Sequence, residues 1–242
     1  MIYQFDSRIR YSEVNSSQEL SLGGIINYFQ DCSLFQSEAL GLGVDHLKEK
    51  NRAWLLSSWQ VVMNRRPAFG QKITVQTWSY GFKGFYGYRN FSMNDEGGER
   101  LVIANTVWVY VDTCTGHPAK VDQEEIRGYA SEERLPMDYA SRKISFPEHA
   151  VERDGFTIRS HQLDTNGHVN NGQYVQLAQD YLPDSFVPGQ MRAEYKKQAR
   201  LGDLVIPWIA VEKDLYTVAL CDPEKKPYAI VEFSGKKETK GL

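Results

Sequence analysis

The feature that most constrains the fold of this chain is an internal repeat. Residues 10–31 align with residues 159–180 at a constant offset of 149 positions. The identical pairs are Arg10 and Arg159, Gly23 and Gly172, Gln30 and Gln179, and Asp31 and Asp180. The apolar positions also agree, and in both copies a glycine opens a stretch of helical periodicity. The apolar stripes are Ile25, Ile26 and Phe29 in the first copy and Tyr174, Leu177, Ala178 and Tyr181 in the second. The repeat therefore predicts two similar structural units, each containing a helix.

Four runs of β-type residues follow each predicted helix. They cover residues 54–64, 72–80, 86–93 and 99–111 in the first copy, and 191–198, 204–211, 216–221 and 228–233 in the second. Antiparallel strands that bury one face need a cover, and a long helix wrapped by a curved antiparallel sheet is the simplest two-layer solution. We therefore predict an α+β protein with tandem units at 1–130 and 155–242. The charged, aperiodic segment 131–154 is predicted to be a linker.

Composition excludes several functional classes. With 28 Lys and Arg against 31 Asp and Glu, the net charge is −3, so no global positive field attracts nucleic acid or anionic lipid. Cys32, Cys114 and Cys221 show no metal-ligand or CxxC spacing, which suits a reducing compartment. No stretch approaches 18 apolar residues. We expect a cytoplasmic protein with no nucleic-acid partner and no membrane insertion.

The residues best suited to catalysis directly precede the second helix. Asp164, Asn166 and His168 alternate along the chain, so in an extended loop their side chains point to one side. Asn170 or Asn171 is a natural N-cap, which places the positive end of the helix beside them. A carboxylate and an imidazole can activate water there, and helix N–H groups can stabilise a carbonyl oxygen that gains charge. This pattern indicates acyl transfer, and the alternative is turn chemistry for the Asp and Asn residues and a surface or satisfied loop histidine at His168.

The first copy lacks these chemical groups. Its equivalent residues are Asn15, Ser17 and Glu19, which keep the polarity but not the carboxylate–imidazole pair. We therefore predict a single catalytic centre, in the second unit. A metal site made of His161, Asp164 and His168 is disfavoured, because this spacing matches no zinc pattern.

The run Asp164-x-Asn166-x-His168-Val169-Asn170-Asn171, with Tyr174 after it, resembles the signature of acyl-acyl carrier protein (acyl-ACP) thioesterases of plants and bacteria. Further stretches that resemble this family are Trp54-Leu55-Leu56, Arg66-Pro67, Thr77-Trp78, Arg89-Asn90-Phe91, Gly98-Glu99, residues 108–112 and Glu194-Tyr195-Lys196-Lys197. The resemblance covers nearly the whole chain. It implies a double hotdog fold and hydrolysis of an acyl thioester without a cofactor.

The resemblance also implies roles for single residues. Asp164 polarises the attacking water or attacks as the nucleophile, and both alternatives stay open. Asn166 and the helix N–H groups are expected to hold the thioester carbonyl, while His168 orients the carboxylate or protonates the leaving thiolate. Plant members carry a Glu-Cys pair where this chain has Gln198-Ala199, so no cysteine nucleophile is available there. The Gln198 amide is expected to orient water or Asp164.

The acyl chain and its carrier need binding surfaces of their own. Expected acyl contacts are Ile25, Ile26, Phe29 and Trp54, together with Asn171 at the second helix, and plain core packing is the alternative. Because acyl carrier proteins are acidic, docking is expected to use local cations. The candidates are Arg65, Arg66, Lys196, Lys197 and Arg200, with a solvated face as the alternative.

Three other functions stay open at this point. An acyl-CoA thioesterase, a non-hydrolytic module that binds acyl thioesters and a hydratase would all suit the same fold. Two units in one chain already satisfy the pairing that single-unit relatives reach by dimerising, so monomer and homodimer are both tenable.

Overall fold

The structure is a computed structural model that describes residues 1–236. The chain divides into two compact units. The first unit comprises Met1–Ser57 and Asn64–Ala140, and the second comprises Ser58–Met63 and Ser141–Leu242. No helix within residues 1–236 is both long and apolar enough to cross a bilayer.

The first unit is a helix packed on an antiparallel sheet. Its elements are β1 (Tyr3–Arg8), α1 (Leu22–Ala39), α2 (Val44–Glu49), β2 (Arg52–Met63, whose last six residues belong to the second unit), β3 (Lys72–Lys83), β4 (Tyr86–Asn94), β5 (Arg100–Asp112) and α3 (Gln123–Tyr129). β3 and β4 lie between β1 and β5, and every pairing is antiparallel. α1 begins where the Ser21 side chain accepts the N–H of Gly24 at 3.1 Å.

One face of α1 forms the core of this unit. Ile25, Ile26, Phe29 and Cys32 recur at helical spacing and are fully buried. The ring of Phe29 lies 5.1 Å from that of Phe91 in β4, which fixes the helix against the sheet. The apolar stripe that the sequence predicts is thus the packing face of α1.

The second unit has the same plan with a shorter helix. Its elements are β6 (Val151–Glu152), β7 (Phe156–Thr157), α4 (Asn171–Gln179), β8 (Pro188–Tyr195), β9 (Leu204–Glu212), β10 (Leu215–Cys221) and β11 (Pro227–Gly235). Residues 58–62 of β2 pair with β8, and the order continues through β11 and β10 to β9, all antiparallel. α4 packs against β10 and β11. The predicted stripe ran on to Tyr181, but α4 ends at Gln179.

Pro207 accounts for the division of the edge strand in the second unit. β1 pairs with β3 over six continuous residues, whereas β6 and β7 reach β9 as two short pieces. Pro207 lies in β9 between these pieces and has no N–H to donate, although its carbonyl still accepts the N–H of Arg153 at 2.9 Å. The edge strand therefore continues on each side of the proline.

The segment predicted as a linker is fastened to both sheets, each within its own unit. In the first unit the Oδ1 of Asn90 accepts the N–H of Leu135 at 3.1 Å and the O–H of Tyr139 at 2.9 Å. In the second unit the Oε2 of Glu194 accepts the N–H of Ile144 at 2.8 Å. Leu135 and Ile144 are buried. This segment is part of the packed structure rather than a free connection.

Candidate active site

The predicted catalytic residues lie on a tight turn, so the expected extended loop is wrong. The N–H of Asp164 donates to the carbonyl of His168 at 2.7 Å, and that of Gly167 donates to the carbonyl of Asp164 at 3.1 Å. Gly167 has a φ of 74°, a conformation that favours glycine. Asp164 and His168 are therefore paired through their backbones on the two arms of the turn, and Asn166 lies exposed at its tip.

The turn fixes the Asp164 carboxylate in place. Its Oδ1 accepts the backbone N–H of Asn166 at 2.8 Å and that of His168 at 3.1 Å. Both bonds use the same oxygen. Oδ2 is therefore the atom through which this half-buried carboxylate can accept a proton from a bound molecule or attack it.

The first unit contains the same turn with different side chains. The Oδ1 of Asn15 accepts the N–H groups of Ser17 and Glu19, both at 3.0 Å, and the N–H of Asn15 donates to the carbonyl of Glu19 at 2.8 Å. An amide oxygen thus makes the same bonds as the Asp164 carboxylate. The turn itself does not require a charge at position 164.

Asn170 is the N-cap of α4. The sequence predicts Asn170 or Asn171 for this position. The Oδ1 of Asn170 accepts the N–H of Gly172 at 2.8 Å, and its carbonyl accepts the N–H of Gln173 at 2.9 Å. Two of the first N–H groups of the helix are therefore already bonded. The N–H of Asn171 takes part in neither bond and lies at the positive end of the helix.

The segment after β8 runs beside the turn. The N–H of Val169 donates to the carbonyl of Ala199 at 3.0 Å, and His168 forms an isolated bridge with Arg200. Gln198 precedes Ala199 and is exposed, and it lies beyond the end of β8 rather than within a strand as predicted. Gln198 therefore lies in the segment that runs beside the turn.

Tyr174, to which the sequence assigns no role in the site, also contacts this segment. Its hydroxyl accepts the N–H of Ala199 at 2.8 Å, and burial raises the pKa of Tyr174 to about 12. Helical periodicity accounts for its place on the apolar face of α4. The hydroxyl partner lies 25 residues further along the chain, which spacing alone does not reveal.

Two family models together match most of the chain. The acyl-ACP thioesterase N-terminal domain matches residues 1–129, and the acyl-ACP thioesterase C-terminal domain matches residues 146–220. The chain belongs to the acyl-ACP thioesterase family. This confirms the resemblance inferred from the motifs.

Curated relatives of this thioesterase-family chain come from plants. The palmitoyl-acyl carrier protein thioesterase of Gossypium hirsutum is 25% identical over 217 residues, which are 82% of this chain and 52% of that protein. The Arabidopsis thaliana protein of the same name is 27% identical over the same shares. The chain spans about half the length of these relatives. Both relatives are described as chloroplastic, and the cytoplasmic location of this chain stays a prediction.

Solved structures confirm the double hotdog fold. An acyl-ACP thioesterase from Bacteroides thetaiotaomicron superposes with a TM-score of 0.88 at 23% identity, covering 96% of this chain and 97% of that chain. The 12:0-ACP thioesterase from Umbellularia californica superposes with a TM-score of 0.85 at 20% identity, covering 96% of both chains.

The residues expected to contact an acyl chain in this family member are packed in the first unit. Ile25, Ile26 and Phe29 are fully buried. Trp54 is half-buried, its Nε1–H donates to Glu125 at 3.2 Å, and its ring lies 4.7 Å from that of Tyr110. These contacts are core packing, and a contact with an acyl chain stays a prediction.

Most of the cations expected to dock the carrier protein already have acidic partners. Arg65 pairs with Asp95 at 3.2 Å and with Glu99 at 3.3 Å, Lys196 pairs with Glu194 at 2.9 Å, and Lys197 pairs with Asp222 at 2.8 Å. Burial lowers the pKa of Arg66, whose Nε and Nη2 are buried without a hydrogen-bond partner in the described residues. Arg200 is exposed and forms no ion pair within residues 1–236. Of the five predicted docking residues, Arg200 is thus exposed and has no acidic partner in the described residues.

An open polar groove of about 630 Å³ runs along α4. Gln173, Gln176 and Asp180 of the helix region line it, together with His161 and Gln162 just before the turn. This lining suits a polar ligand better than an acyl chain. No group of three His, Cys, Asp or Glu side chains in the described part of the chain is arranged to hold a metal ion.

Proposed function

We propose that this chain hydrolyses acyl-ACP thioesters and releases a free fatty acid and the carrier protein with a free thiol. Membership of the acyl-ACP thioesterase family supports the substrate class. The observation that carries the chemistry is the Asp164 carboxylate, which the turn holds through Oδ1 while Oδ2 stays open to a ligand. His168 and the start of α4 adjoin it along the same turn.

The proposed reaction needs one base, one acid and a site for the carbonyl oxygen. Oδ2 of Asp164 accepts a proton from water as the water oxygen bonds to the thioester carbon, or Oδ2 attacks that carbon itself and water then hydrolyses the resulting acyl–aspartyl anhydride. The carbon–sulfur bond then breaks, and His168 protonates the leaving thiolate or orients the carboxylate. Asn166 and the N–H of Asn171 stabilise the carbonyl oxygen as it gains charge. The exposed Gln198 amide orients the attacking water.

The decisive experiment replaces the charge without changing the turn. Asp164→Asn should lower kcat for release of free thiol from acyl-ACP by about 10²- to 10⁴-fold, the usual contribution of a general base. The variant should fold normally, because Asn15 makes the same two hydrogen bonds in the first unit. Asn15→Asp is the matched control and should keep the wild-type rate. A wild-type rate in Asp164→Asn would contradict the proposed role.

Hydrolysis of acyl-CoA is the second candidate. It is favoured by the ion pairs that already occupy Arg65, Lys196 and Lys197, which leave less charge for an acidic carrier protein. Thiol release should be compared on carrier-bound and CoA-bound thioesters with the same acyl chain. A higher kcat/KM on the CoA thioester would select this alternative, and binding without thiol release would indicate a non-hydrolytic module.

A further inference from the structure

We propose that Tyr174 is a positioning residue, which holds the turn carrying Asp164 and His168 through a hydrogen bond to the segment after β8. The inference rests on the proposed function, because it assigns Tyr174 to that same site. Tyr174 lies in α4, whereas the group it bonds lies after the next strand, so the bond joins two separate elements of the second unit.

Hydrogen bonds and short stretches of backbone connect the Tyr174 hydroxyl to the Asp164 carboxylate. The hydroxyl accepts the N–H of Ala199 at 2.8 Å, and the Ala199 carbonyl accepts the N–H of Val169 at 3.0 Å. The next residue back along the turn, His168, donates its N–H to the Oδ1 of Asp164 at 3.1 Å. A shift of residue 199 would therefore move the backbone that holds both proposed catalytic side chains.

The surroundings of Tyr174 hold its ring in place. Tyr174 is buried, and its ring lies 5.9 Å from that of Tyr195, whose hydroxyl donates to the carbonyl of Asn171 at 2.9 Å. Ala199 is also fully buried, so without the hydroxyl its N–H would be left without a partner or water. The raised pKa keeps the phenol protonated at neutral pH, which suits a structural hydrogen bond rather than proton transfer.

The first unit has the same backbone frame, which is the turn together with the neighbouring segment hydrogen-bonded to it. It lacks the tyrosine bond. The equivalents of Tyr174 and Ala199 are Ile25 and Pro67, at offsets of 149 and 132 positions. Proline has no N–H and isoleucine has no hydroxyl, so both halves of the bond are absent together. The rest of the path is kept, because the N–H of Leu20 donates to the carbonyl of Pro67 at 2.8 Å.

This comparison separates the frame from the chemistry. The frame forms in the first unit with an isoleucine–proline pair and a turn that has lost the carboxylate and the imidazole. The tyrosine–amide bond occurs in the unit that carries Asp164 and His168. We infer that the bond serves the accuracy with which the catalytic turn is held, since the turn forms without it.

The test uses two variants and a control. Tyr174→Phe should lower kcat for thiol release roughly 10- to 100-fold, the range expected for a small misplacement of catalytic groups, with KM changed less than about twofold. The shape of the pH profile of kcat should not change, because no proton passes through the phenol. Tyr216→Phe, which makes the same chemical change in β10, should leave kcat unchanged.

The double variant Tyr174→Ile with Ala199→Pro copies the pair of the first unit. It removes the donor together with the acceptor, so Tm should recover relative to Tyr174→Phe while kcat stays low. Recovery of kcat together with Tm would overturn the proposal, because the hydroxyl would then serve only to satisfy a buried N–H. A wild-type kcat in Tyr174→Phe would also overturn it.

Amide hydrogen exchange separates this inference from the proposed function. In Tyr174→Phe the N–H groups of His168 and Val169 should exchange faster than in the wild type. If the wild-type protein releases no thiol from any acyl thioester, the proposed function fails, and exchange still decides the positioning role. Unchanged exchange at both amides would refute that role.

Discussion

Aspartates that close turns in this chain differ in what their second oxygen does. In Asp95, Asp164 and Asp222 alike, Oδ1 accepts N–H groups from the residues two and four positions later. The Oδ2 of Asp95 then pairs with Arg65, and that of Asp222 pairs with Lys197. No cation within residues 1–236 pairs with the Oδ2 of Asp164. The same local structure thus carries an ion pair at two positions and leaves, at the third, a carboxylate oxygen without a cationic partner in the described residues.

The charge of Asp222 should make the free energy of unfolding depend on pH in the acidic range. The hydrogen bond from Lys197 and those from the N–H groups of Lys226 and Glu224 lower its pKa in the folded state. A carboxyl with a lowered folded pKa stabilises the fold fully above its unfolded pKa, and the effect is lost as pH falls through the folded pKa. Asp222→Asn keeps the turn acceptor and removes the charge. Urea unfolding should show a lower unfolding free energy than wild type at pH 7 and no difference near pH 2. An equal difference at both pH values would contradict this.

The sequence predicts which residues of the turn are near one another but not how they are held. The structure joins the backbone N–H of His168 to the Oδ1 of Asp164, and the convergence of the two side chains on a substrate stays a prediction. The turn was predicted only as the alternative to an extended loop, because residue spacing does not reveal that one side-chain oxygen accepts two N–H groups. Tyr174 was missed for a related reason, since its partner Ala199 is distant in sequence.

At the scale of elements, strands were predicted more accurately than helices. The eight predicted strands agree with the structure to within three residues at each end, because runs of β-branched and aromatic residues bounded by turn residues mark strands clearly. The end of α4 was placed too late. Its apolar stripe continues to Tyr181, but α4 ends at Gln179, because Pro183 has no N–H to donate to the Gln179 carbonyl and its ring would clash with that carbonyl in a longer helix. The short β1, α2 and α3 were not predicted.

Glu194 should hold the strap formed by residues 141–150. The side chain is buried, and its Oε2 accepts the N–H of Ile144 at 2.8 Å and a hydrogen from Lys196 at 2.9 Å. Glu194→Ala should lower the unfolding free energy by about 1–3 kcal/mol, because a buried N–H loses its acceptor. Urea unfolding measures this loss, and Ile144 should exchange its amide hydrogen faster. Glu194→Gln, which keeps an acceptor oxygen, should lower the unfolding free energy by a smaller amount. If both variants lost equally, charge rather than the hydrogen bond would hold the strap.

For the molecule as a whole, the repeat is the most informative part of the sequence. The offset between the copies falls from 149 at the starts of the two helices to 132 after them, a difference of 17 residues. The structure assigns most of it to helix. α1 has 18 residues against nine in α4, and α2 adds six more in the first unit. Aperiodic sequence in this region concealed α2, which is too short to show a helical repeat.

Under the proposed function an acidic carrier protein must bind a net-negative chain, so an exposed cation beside the turn without an acidic partner should dominate docking. Arg200 is exposed and forms no ion pair in the described residues. Its backbone forms an isolated β-bridge with that of His168. Arg200→Glu should raise KM for acyl-ACP several-fold and leave KM for a small acyl thioester nearly unchanged.

The control for this effect is Lys213→Glu, which reverses an exposed charge at the opposite end of β9, roughly 30 Å away along the strand. The charge reversal Lys196→Glu with Lys197→Glu should raise KM for acyl-ACP less than Arg200→Glu does, because both lysines are already paired. Added salt should narrow the difference between Arg200→Glu and the wild type, since screening weakens attraction between exposed charges. Equal KM changes for Arg200→Glu and Lys213→Glu would show that net charge, rather than a docking site beside the turn, attracts the carrier.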